Sequence, residues 1–357
     1  MSSKRKVLVL GSPLDYVGQK YYDAFTRDYH VDVSLVFSRP KHHRWLTQSQ
    51  ILYAKDRAET KARLATTVAR DGPYEALVIK MGTIPYEPYD KDLLKGLGPH
   101  CKIIVSASAG YNEFDIDWMT SAGMWFCNTV DAVSEATADM ALFLIVAVIR
   151  NTSVAERQAR EGEWKTGLTP TADPSGKILG IVGLGSIGKY LAKKAKVFNM
   201  KIYYYNRRRL SPEDEKTYDA TYCPDLYSLL ASSDVVSLHT PLNAATTDLI
   251  SEAEFAAMKD GTYLVNTARG AIVDEKALIK ALDSGKVLRA GLDVFPNEPK
   301  INEYFMKSDK VVLQPHMGGL TQSSFAKSQQ ECLENIRAYF EAGMPNSPVN
   351  DPGHRSV

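Results

Sequence analysis

The sequence predicts an α/β protein of two doubly wound domains, each a parallel sheet covered by helices. Short apolar runs alternate with helical stretches over almost the whole chain, which is the pattern of βαβ units. These runs fall into two series, separated by one long apolar helix. A length of 357 residues suits two domains, at roughly 150 residues for each.

The first series consists of residues 7–10, 31–37, 76–79 and 103–105, each followed by Gly, Pro or small polar residues that favour a turn. The polar stretch 42–70 has scattered apolar residues that suit an amphipathic helix over the sheet. Residues 134–150, S-E-A-T-A-D-M-A-L-F-L-I-V-A-V-I-R, start with a capping serine and an acidic first turn, and read as one buried helix linking the domains. The second series, 178–182, 202–205, 235–239, 263–266, 290–295 and 311–313, supplies six strands. A last helix is expected at 322–340, before a tail rich in Pro, Asn and Gly.

Forty-three Lys plus Arg against 42 Asp plus Glu leave a charge of +1, so no overall field draws the chain to nucleic acid or anionic lipid. A composition of 44% hydrophobic and 24% charged residues excludes disordered and collagen-like classes. The partner is expected to be a small molecule. Cys101, Cys127, Cys223 and Cys332 form no C-x-x-C pair and are read as reduced thiols. The basic start leads into only four apolar residues, too few for a signal-peptide core. The longest apolar run, 140–149, has ten residues, against the ~20 needed to span a bilayer. A soluble, cytoplasmic protein is therefore expected. No metal site is apparent.

The strongest local signal is G-L-G-S-I-G, in which Gly183, Gly185 and Gly188 fit G-x-G-x-x-G between a strand and a helix. The first glycine permits a tight turn, the second lets the backbone approach a pyrophosphate, and the third allows close packing of helix on strand. The next strand ends in Y-Y-Y-N-R-R-R. An acidic residue there would bind the ribose hydroxyls of NAD, but the chain has Asn206, followed by Arg207, Arg208 and Arg209. Guanidinium forks suit a 2′-phosphate, so NADP(H) is the expected cofactor, with NAD(H) possible.

The segments V-S-A-S-A-G-Y-N, S-E-A-T-A-D, G-L-G-S-I-G, S-L-H-T-P-L, V-N-T-A-R-G-A-I-V-D, A-G-L-D-V-F-P-N-E-P and P-H-M-G-G follow one another in a fixed order. In these motifs the chain resembles the D-isomer-specific 2-hydroxyacid dehydrogenases, and most nearly the glyoxylate and hydroxypyruvate reductases. The resemblance implies two Rossmann-like domains: a discontinuous substrate domain, 1–108 with 318–357, and a cofactor domain, 109–317, inserted into it. It also implies a catalytic set of Arg269, Glu298 and His316. Each residue type suits its task. Histidine exchanges protons near neutral pH, a neighbouring carboxylate favours its charged form, and arginine grips a carboxylate through two hydrogen bonds. A lone histidine is more often packed or solvated than catalytic; it is the joint occurrence of all three in matching contexts that reverses those odds.

Cofactor contacts implied by the resemblance come from Gly183, Gly185, Ser186, Ile187, Asn206, Arg207, Arg208, His239, Thr240, Pro241, Thr267, Ala268, Asp293, His316 and Gly318, with Asp293 on the nicotinamide amide. Ser186 stands where many relatives have an arginine that touches the pyrophosphate. Arg269, Lys80 and the backbone N–H groups of Ala109 and Gly110 are the expected substrate ligands, the last two forming an anion-binding nest. The expected reaction is NADPH-dependent reduction of small 2-oxo acids to D-2-hydroxy acids. The alternatives are a reductase of bulkier acids such as phenylpyruvate, its pocket set by residues 80–85 and Tyr111, and a nucleotide-sensing protein like the corepressors that share the fold. A homodimer is also implied, through the helix 134–150 and the segment 153–164.

Overall fold

The computed structural model describes residues 4–11, 14–35, 56–80, 86–129 and 131–353. Two compact units divide the chain: Met1–Val133 with Thr321–Val357, and Ser134–Leu320.

The first unit contains a five-stranded sheet made of β1 (Lys6–Gly11), β2 (His30–Leu35), β3 (Ala76–Ile79), β4 (Ile103–Ser106) and β5 (Trp125–Cys127), in the order β2-β1-β3-β4-β5. All four pairings are parallel. Because both faces are covered, the central strands are apolar throughout rather than alternating. Leu8, Leu10, Leu77, Ile79 and Ile104 enter one core cluster, while Val7, Val9, Val78 and Val105 enter the other. Residues 36–37 of the expected second strand and 42–55 of the expected helix lie outside the described residues. The described helix there is Arg57–Asp71, capped by the Asp56 carboxylate, which accepts from the Glu59 N–H.

The expected boundary after residue 108 is corrected to 133. The three-residue β5 pairs with β4 and so holds 109–133 in the first unit. At the other end the first unit resumes at Thr321 rather than at 318. The helix Gln322–Ala342 then buries Phe325, Cys332, Leu333 and Ile336, the last three in the same core cluster as Val7 and Val9.

The second unit is a seven-stranded parallel sheet, one strand more than expected. Its strands are β6 (Ile178–Val182), β7 (Lys201–Tyr205), β8 (Ala220–Tyr222), β9 (Val235–Leu238), β10 (Thr262–Asn266), β11 (Val287–Leu292) and β12 (Val311–Leu313), in the order β12-β11-β10-β9-β6-β7-β8. The added strand is β8, a three-residue edge against β7. Since β6 has β7 on one side and β9 on the other, the strand order reverses beside it. That switch point opens a crevice at the carboxyl ends of the strands, where such sheets take ligands. The helix Ser134–Arg150 belongs to this unit: Ala138, Ala141, Leu144, Ile145 and Val148 share a core with Ile181 and Val265. A Cβ on Gly291 of β11 would lie 3.0 Å from Leu144 Cβ, so this glycine lets the helix pack closely on the sheet.

All four cysteines are buried and none forms a disulfide. No single described helix is long and apolar enough to cross a membrane.

Candidate active site

The predicted residues of the second unit gather on the loops that leave the carboxyl ends of its strands. After β6, Gly183 has φ +98°, and a Cβ there would meet the His239 carbonyl oxygen at 2.9 Å. Gly188 has the same kind of constraint, its Cβ direction lying 2.7 Å from the Gly183 oxygen, whereas nothing stands within 4 Å of a Cβ on Gly185. Two of the three glycines are thus demanded by packing, and the third leaves an open approach to the backbone. Ser186 begins the helix Ser186–Val197 and is exposed, followed by half-buried Ile187.

Asn206 was expected to face the cofactor. Its side chain instead accepts a hydrogen bond from the Leu184 N–H at 2.6 Å, so it holds the glycine loop. Of the three arginines, Arg209 is taken by Glu215 in a bidentate pair and lies over the Tyr222 ring. Arg207 and Arg208 are exposed and make no hydrogen bond or ion pair among the described residues.

Beyond β9 and β10, buried polar atoms lack partners among the described residues: the hydroxyls of Thr240 and Thr267 and Nδ1 of His239. The His239 Nε2 shares a hydrogen bond with the Ser237 hydroxyl at 2.8 Å, and burial pushes the imidazole down to about 4, so it is neutral at physiological pH. Pro241 and Ala268 lie on the same loops; the Pro241 carbonyl accepts from the Thr246 hydroxyl. Orphaned buried donors and acceptors are costly unless a ligand satisfies them. Together with the open backbone at Gly185, they fit a dinucleotide cofactor.

Arg269 follows β10, and the residue that sets its loop is one the sequence reading missed. Asn266, buried at the end of β10, accepts from the Ala268 N–H at 3.0 Å and donates to the Arg269 carbonyl at 2.8 Å. An asparagine closing a strand two residues before a turn is a recognisable Asx-turn signal. Gly270 is equally constrained, since a Cβ would overlap the Phe295 carbonyl carbon and the Pro296 nitrogen. The Arg269 guanidinium donates to the Ala268 carbonyl at 2.8 Å.

Glu298 and His316 come together. The imidazole Nδ1 lies 2.7 Å from Glu298 Oε2, and the other carboxylate oxygen accepts from the Phe295 N–H at 2.9 Å. Burial raises the Glu298 pKa, but the His316 hydrogen bond and charge, the Phe295 N–H and the Arg269 charge outweigh it, leaving it below the ordinary value. With Nδ1 occupied, Nε2 is the ring nitrogen left for proton exchange. The His316 side chain is 45% exposed, open enough to meet a ligand.

His316 sits in the left-handed region at φ 55°, and Asp293 holds it there. The Asp293 carbonyl accepts from the His316 N–H at 2.8 Å, and its carboxylate oxygens accept from the Met317 and Gly318 N–H groups at 2.7 and 2.8 Å. Burial raises the Asp293 pKa against those two hydrogen bonds and the His316 charge, which lower it. Asp293, expected on the nicotinamide amide, is therefore first of all the clamp of the histidine loop. A Cβ on Gly318 would press on its Oδ2 at 3.0 Å.

The remaining predicted residues belong to the first unit. Lys80 is not a solvated strand end: it is 4% exposed, with Nζ 3.9 Å from Asp15 Oδ2 and 5.8 Å from the Tyr16 ring centre. Burial lowers its pKa, opposed by the Asp15 charge. Ala109 and Gly110 follow β4, both half-buried, and neither has positive φ. The alternating handedness of a nest is therefore absent, although their N–H groups have no acceptor among the described residues. Residues 81–85, expected to shape the substrate pocket, lie outside the described residues. Among the described residues, no three His, Cys, Asp or Glu side chains are grouped to hold a metal ion.

Comparison with known proteins agrees with this geometry. Residues 142–318 match the model of the D-isomer specific 2-hydroxyacid dehydrogenase, NAD binding domain. The chain is 55% identical over 351 residues to the dehydrogenase efuE of Hormonema carpetanum, covering 98% of this chain and 83% of that protein. It is 47% identical over 256 residues to 4-methyl-2-oxopentanoate reductase A of Aspergillus oryzae, covering 72% and 77%. The crystal structure of a glyoxylate reductase from Paecilomyes thermophila superposes with a TM-score of 0.84 at 35% identity, covering 98% of this chain and 99% of that one. The chain belongs to the D-isomer specific 2-hydroxyacid dehydrogenases, oxidoreductases that work with a nicotinamide cofactor.

Proposed function

We propose that this enzyme reduces small 2-oxo acids of the glyoxylate and hydroxypyruvate type to D-2-hydroxy acids with NADPH. The observation that carries the reading is the 2.7 Å bond between His316 Nδ1 and Glu298, with the Arg269 charge acting on the same carboxylate. The carboxylate fixes the ring through Nδ1, so that Nε2 can give a proton to the substrate carbonyl oxygen as negative charge develops there. Arg269 takes the substrate carboxylate and polarises the adjoining carbonyl. When bound, the reduced nicotinamide supplies the hydride. Arg207 and Arg208, exposed and without partners among the described residues, support a 2′-phosphate contact, and the absence of an acidic residue at 206 removes the usual selection for NAD.

A second reading, a larger branched 2-oxo acid as substrate, is favoured by the 47% identity to a 4-methyl-2-oxopentanoate reductase. The test is loss of reduced-nicotinamide absorbance with NADPH or NADH against glyoxylate, hydroxypyruvate, 4-methyl-2-oxopentanoate and phenylpyruvate. Fast turnover of the two small acids with NADPH is expected; a clear preference for 4-methyl-2-oxopentanoate moves the second reading ahead. Reversing both charges, Arg207→Asp with Arg208→Asp, is expected to raise KM for NADPH and leave that for NADH unchanged, and an unaltered ratio overturns the phosphate contact. The same proposal has the enzyme working in the cytoplasm as a homodimer, with Phe143 and Trp164 exposed on the segments expected at the interface; a mass near 40 kDa by light scattering at micromolar concentration refutes the dimer.

A further inference from the structure

The turn that follows β4 is held from behind by three donors. The Thr129 N–H donates to the Ser108 carbonyl at 3.0 Å, the Asn128 amide Nδ2 donates to the Ala109 carbonyl at 2.7 Å, and the Ser108 hydroxyl donates to the Gly110 carbonyl at 2.9 Å. The Ser106 hydroxyl, 2.7 Å from that of Ser108, fixes the serine in place. In a trans peptide the N–H leaves on the side opposite to the carbonyl. The peptide units anchored at the Ser108 and Ala109 carbonyls therefore direct the N–H groups of Ala109 and Gly110 away from 128–129, the unit anchored at the Gly110 carbonyl turns the Tyr111 N–H away from the Ser108 hydroxyl, and none of the three has an acceptor among the described residues.

We propose that Asn128 is a positioning residue for the substrate carboxylate, holding the 108–110 turn so that three successive backbone N–H groups present themselves as one anion-binding set. The proposal rests on reading this turn as a carboxylate site. Among the described residues, Asn128 is the one side chain from outside the turn that anchors it, and it does so on the central peptide. A donor on the Ala109 carbonyl also polarises the shared amide and strengthens the Gly110 N–H as a donor. Because the anchors are made without ligand, little ordering remains to be done on binding, which is how a preformed set gains affinity. Thr129 and Ser108 give the same support through a backbone N–H and a local hydroxyl.

Two experiments on the full chain separate this proposal from the reading beneath it. Titrating oxamate, a carboxylate that mimics a 2-oxo acid, into isotope-labelled protein with bound NADPH is expected to shift the amide resonances of 109, 110 and 111; unmoved resonances overturn the carboxylate site and the role of Asn128 with it. Asn128→Ala is expected to raise KM for the 2-oxo acid about 5- to 10-fold, the weight of one well-placed hydrogen bond, with kcat and KM for NADPH within about twofold. Asn128→Asp, which replaces the donor with a negative charge, is expected to raise it further. An unchanged KM for the acid in both variants, with the oxamate shifts present, overturns the positioning role alone. Should Asn128→Ala fail to fold, the KM of Asn128→Asp decides.

Discussion

At the scale of single residues, surroundings separate two histidines that the sequence presents alike, each just after a strand. His316 shares a hydrogen bond with a carboxylate and is open to ligands, whereas half-buried His239 has its Nδ1 shut in and its Nε2 on a serine hydroxyl, with no charged partner among the described residues. Burial holds His239 at about 4 against an ordinary value of 6.5. The unfolded chain therefore takes up a proton on this residue near pH 6.5, and the folded chain does so only near pH 4. The His239 contribution is intact above pH 6.5 and is lost as pH falls through that window, by at most about 3 kcal/mol. Melting temperatures at pH 7.5 and 4.5 should drop less in His239→Gln than in the unaltered protein, and equal drops would contradict the assignment. Glu298 has the same sign for a different reason: its depressed pKa contributes stability above the ordinary carboxylate range that is lost on acidification.

Among local elements, the loops show which parts of the site were legible in the chain. The strand–glycine–helix motif is readable because it is a contiguous pattern with a chemical reason, whereas Arg269, Glu298 and His316 lie in three separate motifs and are picked out through the family resemblance. Asn206 and Asp293 were assigned to the cofactor, yet they brace the Leu184 N–H and the Met317 and Gly318 N–H groups. A polar side chain at a strand end has two uses, as ligand or as brace, and spacing cannot choose between them. The glycines allow a sharper test. Gly270→Ala forces a methyl group into the Phe295–Pro296 backbone, and overpacking of this kind costs typically 1–3 kcal/mol. Gly185→Ala meets nothing within 4 Å in the protein. Thermal melts should therefore show Gly270→Ala clearly destabilised and Gly185→Ala nearly unchanged, while NADPH fluorescence titration should show Gly185→Ala binding weakly. A stable Gly185→Ala protein with unaltered NADPH affinity would mean that the cofactor does not approach that backbone.

For the whole molecule, the apolar runs carry two parallel sheets and the resemblance implies the excursion of one domain out of the other, but of the three three-residue strands only β12 is read and β5 and β8 are missed. Both missed strands lie at the edge of their sheet and are held by pairing with one neighbour, β4 or β7, and the pairing of β5 ties 109–133 to the first unit. The asymmetry between the units has a folding consequence. Ser134–Leu320 is one continuous segment whose linking helix packs into its own core through Leu144, Ile145 and Val148. The first unit is discontinuous: its core includes Cys332, Leu333 and Ile336, and Gln329 accepts hydrogen bonds from the Tyr16 and Val17 N–H groups. A fragment of residues 134–320 should therefore melt cooperatively by circular dichroism and bind NADPH, because every group assigned to the cofactor lies within it. Residues 1–133 alone should expose apolar surface and aggregate until a peptide of 321–357 is supplied. Cooperative melting of 1–133 without that peptide would show that the C-terminal helix is an addition to the first core and not a part of it.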